Sequence, residues 1–269
     1  MSNSAKKGTA LITGASSGIG AIYADRLARR GYDLILVARD HRRLEALSKR
    51  LALETGRTVE SIAADLTATA ELRRIEDRLG WDESITLLVN NAGIGATAPL
   101  IASDPGQLDD MIRLNVVALT RLTRAAAPGF VERGTGTIIN IASIAAVAPE
   151  VLNGTYGGSK AFVVAFTQSL QHEIGGKGVR VQAVLPGATS TEFWDKAGVA
   201  IAHLPQEIVM QADEMVDAAL AGLDQGELIT IPSLPDAEDW ARFEAARKAL
   251  GPNLSRRHAA DRYKRGVAA

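Results

Sequence analysis

Short apolar runs alternate along the chain with longer stretches in which apolar residues recur every three or four positions. Thr9 to Thr13 reads as a buried strand, and Ile19 to Arg30 as a helix stopped by Gly31. Asp33 to Ala38 is strand-like again. Arg42 to Leu53 is helical, with Leu44, Leu47 and Leu51 on one stripe. Further strands are expected over Thr58 to Ala63, Ile85 to Asn90, Thr137 to Ile141, Val179 to Leu185 and, as a seventh, Leu228 to Ile231. Strands separated by helices imply right-handed crossovers and a parallel sheet. No internal repeat, low-complexity segment or compositional break marks a second domain. The pattern predicts one doubly wound α/β domain over residues 1–235, with about seven parallel strands flanked by helices. Residues 236–269 read as a helical extension, not an independent domain.

Two helices depart from the one-sided pattern. Gln107 to Ala127 carries Met111, Ile112, Leu114, Val116, Val117, Leu119 and Leu122. Tyr156 to Leu170 carries the run Ala161 to Phe166. Each is apolar nearly all round, so one face covers the sheet and a second needs another partner. A homodimer or homotetramer interface is the natural candidate, with burial under the C-terminal segment as the alternative.

Composition narrows the class. The chain has 269 residues and a net charge of −1, and its pI is near 6.5. No global charge calls for nucleic acid or an anionic membrane. Without cysteine there is no disulfide, thiolate nucleophile or Cys-ligated metal. His41, His172, His203 and His258 are scattered, so no metal site is expected. The opening Met1 to Gly8 has no apolar leader, and no apolar run approaches the roughly 20 residues that span a bilayer. A cytoplasmic protein is expected.

The chemistry lies in loops at the ends of strands. Thr13-Gly14-Ala15-Ser16-Ser17-Gly18-Ile19-Gly20 follows the first strand and opens the first helix. Such glycines permit a tight turn and close backbone approach to a phosphate, and the helix amides favour an anion. Asn90-Asn91-Ala92-Gly93 follows the fourth strand, Asn115 lies inside the next helix, and Ser143 follows the fifth strand. Tyr156 and Lys160 come next, four residues apart and so on one face of a helix. A phenol ionises near pH 10, and a neighbouring ammonium lowers that value. Pro186-Gly187-Ala188-Thr189-Ser190-Thr191 follows the sixth strand.

These motifs, in this order from about Gly8 to Ile231, resemble those of the short-chain dehydrogenases/reductases, whose fold is a Rossmann-type domain. One departure is Gly158, where that family usually has alanine. It either opens space beside the tyrosine or marks a frayed helix start. The resemblance implies that Tyr156 is the general acid in ketone reduction and the base in alcohol oxidation. It implies that Ser143 holds the substrate oxygen, and that Lys160 bonds the nicotinamide ribose and lowers the Tyr156 pKa. It implies further that Asn115 keeps its helix irregular, so that its carbonyl holds a water in a proton relay through Lys160. Gly14, Ser16, Ser17, Gly18, Ile19, Gly20, Asn91, Ala92, Gly93, Pro186, Gly187, Thr189 and Thr191 would line the cofactor. Asp65 and Leu66 would meet the adenine, with helix capping as the other role for Asp65.

Cofactor choice turns on the end of the second strand. Asp40 fits the generic spacing of an acid about 20 residues past the glycines, which points to NAD. The family register instead sets Ala38 at the acid's position and Arg39 after it, resembling the NADP-preferring group. Asp40 then serves as a helix N-cap. NADP is expected over NAD. The substrate pocket is expected from Ile94 to Thr97, Ile144 to Asn153 and Phe193 to Leu204, with a substrate loop at about 189–205. Its apolar lining points to a hydrophobic ketone or secondary alcohol, as for a carbonyl reductase. A 3-oxoacyl-(acyl-carrier-protein) reductase and a non-catalytic cofactor-binding regulator are the alternatives. The basic residues of the extension, Arg247, Lys248, Arg256, Arg257, Arg262, Lys264 and Arg265, have no aromatic stacking set among them, so no nucleic acid is expected.

Overall fold

In the computed structural model, the strands lie close to the predicted places, and those at the centre of the sheet are buried on both sides. The structure describes residues 7–264. The opening Met1 to Lys6 and the basic Arg265 lie outside the described residues. Seven parallel strands form one sheet in the order β3-β2-β1-β4-β5-β6-β9. They are β1 (Thr9–Thr13), β2 (Asp33–Ala38), β3 (Val59–Ala63), β4 (Ile85–Asn90), β5 (Gly136–Ile141), β6 (Val179–Val184) and β9 (Ile229–Thr230). Successive side chains face opposite sides. Thus Ala10 and Ile12 of β1 join one core while Leu11 joins the other.

Three helices cover one face: α1 (Gly18–Arg29), α2 (His41–Thr55) and α8 (Ala212–Asp224). Tyr23, Leu27, Leu44, Leu51, Met215 and Leu220 fill the space beneath them. The other face carries α3 (Thr69–Trp81), α4 (Pro105–Ile112), α5 (Leu119–Glu132) and α6 (Gly154–Ile174). Leu72, Ile75, Leu122, Phe130 and Leu170 lie between them and the sheet. Arg113–Ala118 joins α4 to α5 as a π-helical turn, so the predicted long helix is continuous but widened in its middle. Such widenings recur at functional positions.

The chain order reverses beside β1, which lies between β2 and β4. Ligands of doubly wound sheets bind at that switch point, beyond the carboxyl ends of the strands. Past β6, a two-stranded parallel ribbon pairs β7 (Thr189–Ser190) with β8 (Met210–Gln211). It brackets the loop that holds the short helix α7 (Phe193–Ala197). Nothing in the sequence pattern marks this ribbon, because two residues show no period.

The chain divides into two compact units between Pro232 and Ser233. The second holds α9 (Ala237–Ala249), in which Trp240 and Phe243 lie 5.1 Å apart. Its basic residues pair within the unit: Arg247 with Glu244 at 2.9 Å, Lys264 with Asp261 at 2.8 Å, and Arg242 with Asp239. Among the described residues no helix is long and apolar enough to cross a membrane, and no metal-binding cluster occurs.

Candidate active site

The glycine turn is built by close packing. Gly14 and Gly18 have φ of +65° and +53°, which L side chains rarely adopt. A Cβ on Gly20 would lie 2.4 Å from the Gly14 carbonyl oxygen, so only glycine lets α1 start so near β1. Asn91 fixes the turn from the neighbouring strand, donating from Nδ2 to the carbonyls of Thr13 (2.8 Å) and Gly14 (3.1 Å). The buried Thr13 hydroxyl in turn accepts from the amides of Asn91 and Ala92, each at 3.0 Å. The sequence places Thr13 at the head of the glycine motif but shows no role for its hydroxyl. Ser17 holds the N-cap position of α1 without a side-chain capping bond. The turn and helix terminus form a cradle suited to a phosphate.

Past the end of β2 stand Arg39, Arg42 and Arg43, and the acid among them is engaged. Asp40 is occupied as the N-cap of α2, accepting from the Arg43 amide at 3.0 Å. Arg39 is exposed, and its field reaches Asp65. Burial opposes charge on Asp65, yet bonds from the Thr67 amide and hydroxyl, with Arg39, hold its carboxyl below the usual range. Asp65 therefore braces the start of the α3 approach rather than capping α3, whose N-cap position falls to Ala68.

Ser143 past the end of β5, Asn115 in the π-helical turn, and Tyr156 and Lys160 on α6 meet in one buried cluster. The Ser143 hydroxyl stands near enough to the Tyr156 hydroxyl to favour its ionised form, and accepts from the Ala145 amide at 3.1 Å. Lys160 Nζ lies 5.7 Å from the Tyr156 ring centroid and donates to the Ile141 carbonyl at 2.9 Å. Asn115, in the π-helical turn, ties itself to the Ile94 backbone through both amide atoms and donates to Ser159 Oγ at 3.1 Å. Gly93 lies between them: a Cβ there would meet Asn115 Oδ1 at 3.1 Å and Lys160 Nζ at 3.4 Å.

Burial dominates the electrostatics. It pushes the Tyr156 hydroxyl up to about 12, against the influence of Ser143. It brings the Lys160 ammonium down to about 8. The expected lowering of the Tyr156 pKa by Lys160 is thus absent in this state. Removing water from the buried phenol is the dominant effect.

The loop after β7 closes over this cluster. Phe193 packs on Tyr156 with ring centroids 5.8 Å apart, beside Ile94, Ala96, Met111 and Leu152. A Cβ on Gly95 would strike the Phe193 ring at 2.4 Å. The predicted pocket walls therefore meet, with Phe193 packed among them. Met111 joins them from α4, a contribution that its sequence distance from Tyr156 conceals. Lys196 and His203 both lie at the surface. A wide hollow elsewhere, along α3 and α5, has no link to this chemistry; Glu76, Arg121 and Trp81 line it.

Residues 8–200 match the family model of the short chain dehydrogenases. The chain belongs to the short-chain dehydrogenase family. A short-chain dehydrogenase from Sphingobium yanoikuyae, solved in complex with NADPH, is 49% identical with a TM-score of 0.92. The match covers 94% of this chain and 98% of that one. The bulky-bulky ketone specific alcohol dehydrogenase from Comamonas testosteroni is 46% identical with a TM-score of 0.88, over 95% of this chain and 98% of the other. The very-long-chain 3-oxoacyl-CoA reductase of Bos taurus is 35% identical over 198 residues, covering 70% of this chain and 63% of the reductase. This dehydrogenase spans about 60% of the length of such curated relatives.

The matched region is accordingly a short-chain dehydrogenase core, and the Sphingobium relative carries NADPH. The residues of this chain's own cleft fit such a dinucleotide. The left-handed glycines and uncapped helix terminus suit a pyrophosphate. The end of β2 offers guanidinium groups where an NAD-type site holds an acid. Leu66 is buried beside Asp65, and Pro186 carries a carbonyl that accepts from Ile144 at 3.0 Å. The Thr189 hydroxyl donates to the Gly187 carbonyl at 3.2 Å. Thr191 lies against Gly18, bringing the start of the loop to the glycine turn. Ser16 and Ile19 are half-buried at that turn.

Proposed function

We propose that the protein transfers a hydride between NADP(H) and a hydrophobic ketone or secondary alcohol, with Tyr156 carrying the proton. The observation that carries this is the buried cluster of Ser143, Tyr156 and Lys160. When bound, the nicotinamide supplies or accepts the hydride. Burial keeps Tyr156 protonated at neutral pH, ready to donate to a carbonyl oxygen that the Ser143 hydroxyl orients. Lys160, titrating near pH 8, is placed to replenish the proton, with the π-helical turn around Asn115 beside it. The apolar walls Ile94, Ala96, Met111 and Leu152 favour bulky apolar groups on both sides of the carbonyl. That is the substrate class in the name of the Comamonas relative.

Tyr156→Phe is expected to abolish NADPH oxidation with a diaryl ketone while NADPH still binds. Retained turnover would reject the role of Tyr156. A second reading, a 3-oxoacyl thioester reductase, rests on the similarity to the 3-oxoacyl-CoA reductases. Faster NADPH oxidation with a 3-oxoacyl-CoA than with diaryl ketones would favour it.

We further propose a homodimer or homotetramer. Ile112 and Val117 on the long helix, and Phe162 stacked on Phe166 of α6, leave neighbouring helices with exposed apolar side chains.

A further inference from the structure

Three consecutive loop residues each hold a different part of the cleft. Thr191 lies over the glycine turn, its Cγ2 3.2 Å from where a Gly18 Cβ would stand. Glu192 accepts from Arg43 Nη1 through both carboxylate oxygens, at 2.8 and 2.7 Å. Phe193 packs on Tyr156, with ring centroids 5.8 Å apart, and stands against Gly95. The strap is anchored beyond these contacts. Trp194 Nε1 donates to the Thr189 carbonyl at 3.0 Å, and the Thr97 amide and hydroxyl donate to the Ala197 carbonyl at 3.1 and 2.7 Å.

Arg43 is in the first turn of α2, four residues after Arg39, at the end of β2. In a doubly wound sheet this is where the adenosine ribose of a dinucleotide lies, and a 2′-phosphate seeks a guanidinium there. The guanidinium of arginine pairs with either a carboxylate or a phosphate. Glu192 therefore occupies Arg43 with the chemistry that a ribose phosphate would offer.

We propose that Glu192 competes with the 2′-phosphate of NADP for Arg43, and that its displacement lifts Phe193 from Tyr156. Adjacent Cα atoms are only about 3.8 Å apart, so Glu192 cannot leave Arg43 by a backbone shift without moving Phe193. The ion pair is half-exposed on both sides, and such pairs are weak enough to exchange. Lys196, 3.4 Å from Glu192 on the next turn, keeps the released carboxylate paired. NADH, without the phosphate, leaves the strap closed. By linkage, a substrate that displaces Phe193 favours the phosphate at Arg43 by the same factor. Glu192 is thus a positioning residue that couples cofactor choice to access. The inference rests on NADP being the cofactor.

Two fragments separate the phosphate from the rest of the cofactor: adenosine 2′,5′-bisphosphate and adenosine 5′-monophosphate. Hydrogen exchange of the wild-type protein should show faster amide exchange over 191–199 with the bisphosphate and no change with the monophosphate. In Glu192→Gln the same segment should exchange faster without ligand. By calorimetry that variant should bind the bisphosphate about two- to fivefold more tightly than wild type, with the monophosphate unchanged. Bisphosphate binding that leaves the loop's exchange unaltered would overturn the coupling while leaving NADP use intact. Equal wild-type affinity for the two fragments would remove the phosphate seat itself, and the proposal with it.

Discussion

At the scale of single residues, Lys160 is the costliest polar group in the site. It is buried, and burial brings its ammonium from 10.5 down to about 8. Between those values the unfolded chain holds a proton that the folded chain does not, so this group makes stability rise with pH from about 8 to 10.5. Below pH 8 both states are protonated, and the buried charge costs a constant amount, at most about 3 kcal/mol. Lys160→Met is expected to stabilise the cofactor-free protein by about 1–3 kcal/mol at pH 7 and by almost nothing at pH 10.5, while activity is lost. Denaturant unfolding of both proteins at the two pH values measures this; an equal gain at both would refute the buried-charge account. The sequence shows Ser143, Tyr156 and Lys160 as a set because their residue types are chemically specific and their spacing suits a strand end and one helix face. It does not show the sign of the Tyr156 shift, which depends on Phe193 and the surrounding walls excluding water. Nor does it show the Arg43–Glu192 pair: 149 positions separate the two, and each alone is an ordinary surface charge.

At the scale of elements, periodicity reveals those long enough to show a period. The six longer strands of the sheet and the principal helices lie within a few residues of their expected ends, since Gly31, Asp40 and the strand-end glycines act locally. The β7–β8 ribbon and the π-helical turn escape it because each depends on tertiary contacts. Gly158 shows how an element redefines a residue. The helix begins at Gly154, so Gly158 is neither at a frayed start nor beside the tyrosine. It is exposed, and nothing stands within 4 Å of a Cβ built on it. Gly158→Ala is expected to raise stability by up to about 1 kcal/mol through helix propensity and a less flexible unfolded chain. Gly157→Ala should gain less, because its methyl would meet the Ala145 carbonyl oxygen at 3.2 Å and Pro149 Cα at 3.3 Å. Thermal unfolding of the two variants tests the ranking, and a larger gain at 157 would contradict it.

At the scale of the whole molecule, what remains is the apolar surface that the sheet does not cover. Ile112, Val117 and Phe162 are each more than a third exposed, and Phe166 lies parallel to Phe162 with centroids 5.7 Å apart. The long helix and α6 that carry them pack against one another, so these side chains belong to one neighbourhood of the surface. The same helices carry Asn115 and the Tyr156–Lys160 pair on their inner sides. A second copy covering the outer sides would stiffen the catalytic cluster from behind, because the π-helical turn has no rigid backing except its neighbours. Self-complementary contact of this kind favours a two-fold dimer. Placing a charge in its centre, with Phe162→Glu and Val117→Glu together, should leave the monomer fold intact, since both side chains already face outward. It should move the species in solution to the monomer mass. Sedimentation or light scattering reads the mass, and far-ultraviolet circular dichroism checks the fold. If the double variant keeps the wild-type oligomer mass, another surface holds the assembly. If the wild type is itself a monomer, the apolar helix face needs a different partner. Loss of activity in the monomeric variant, with NADPH binding retained, would show that the backing of the π-helical turn matters to catalysis.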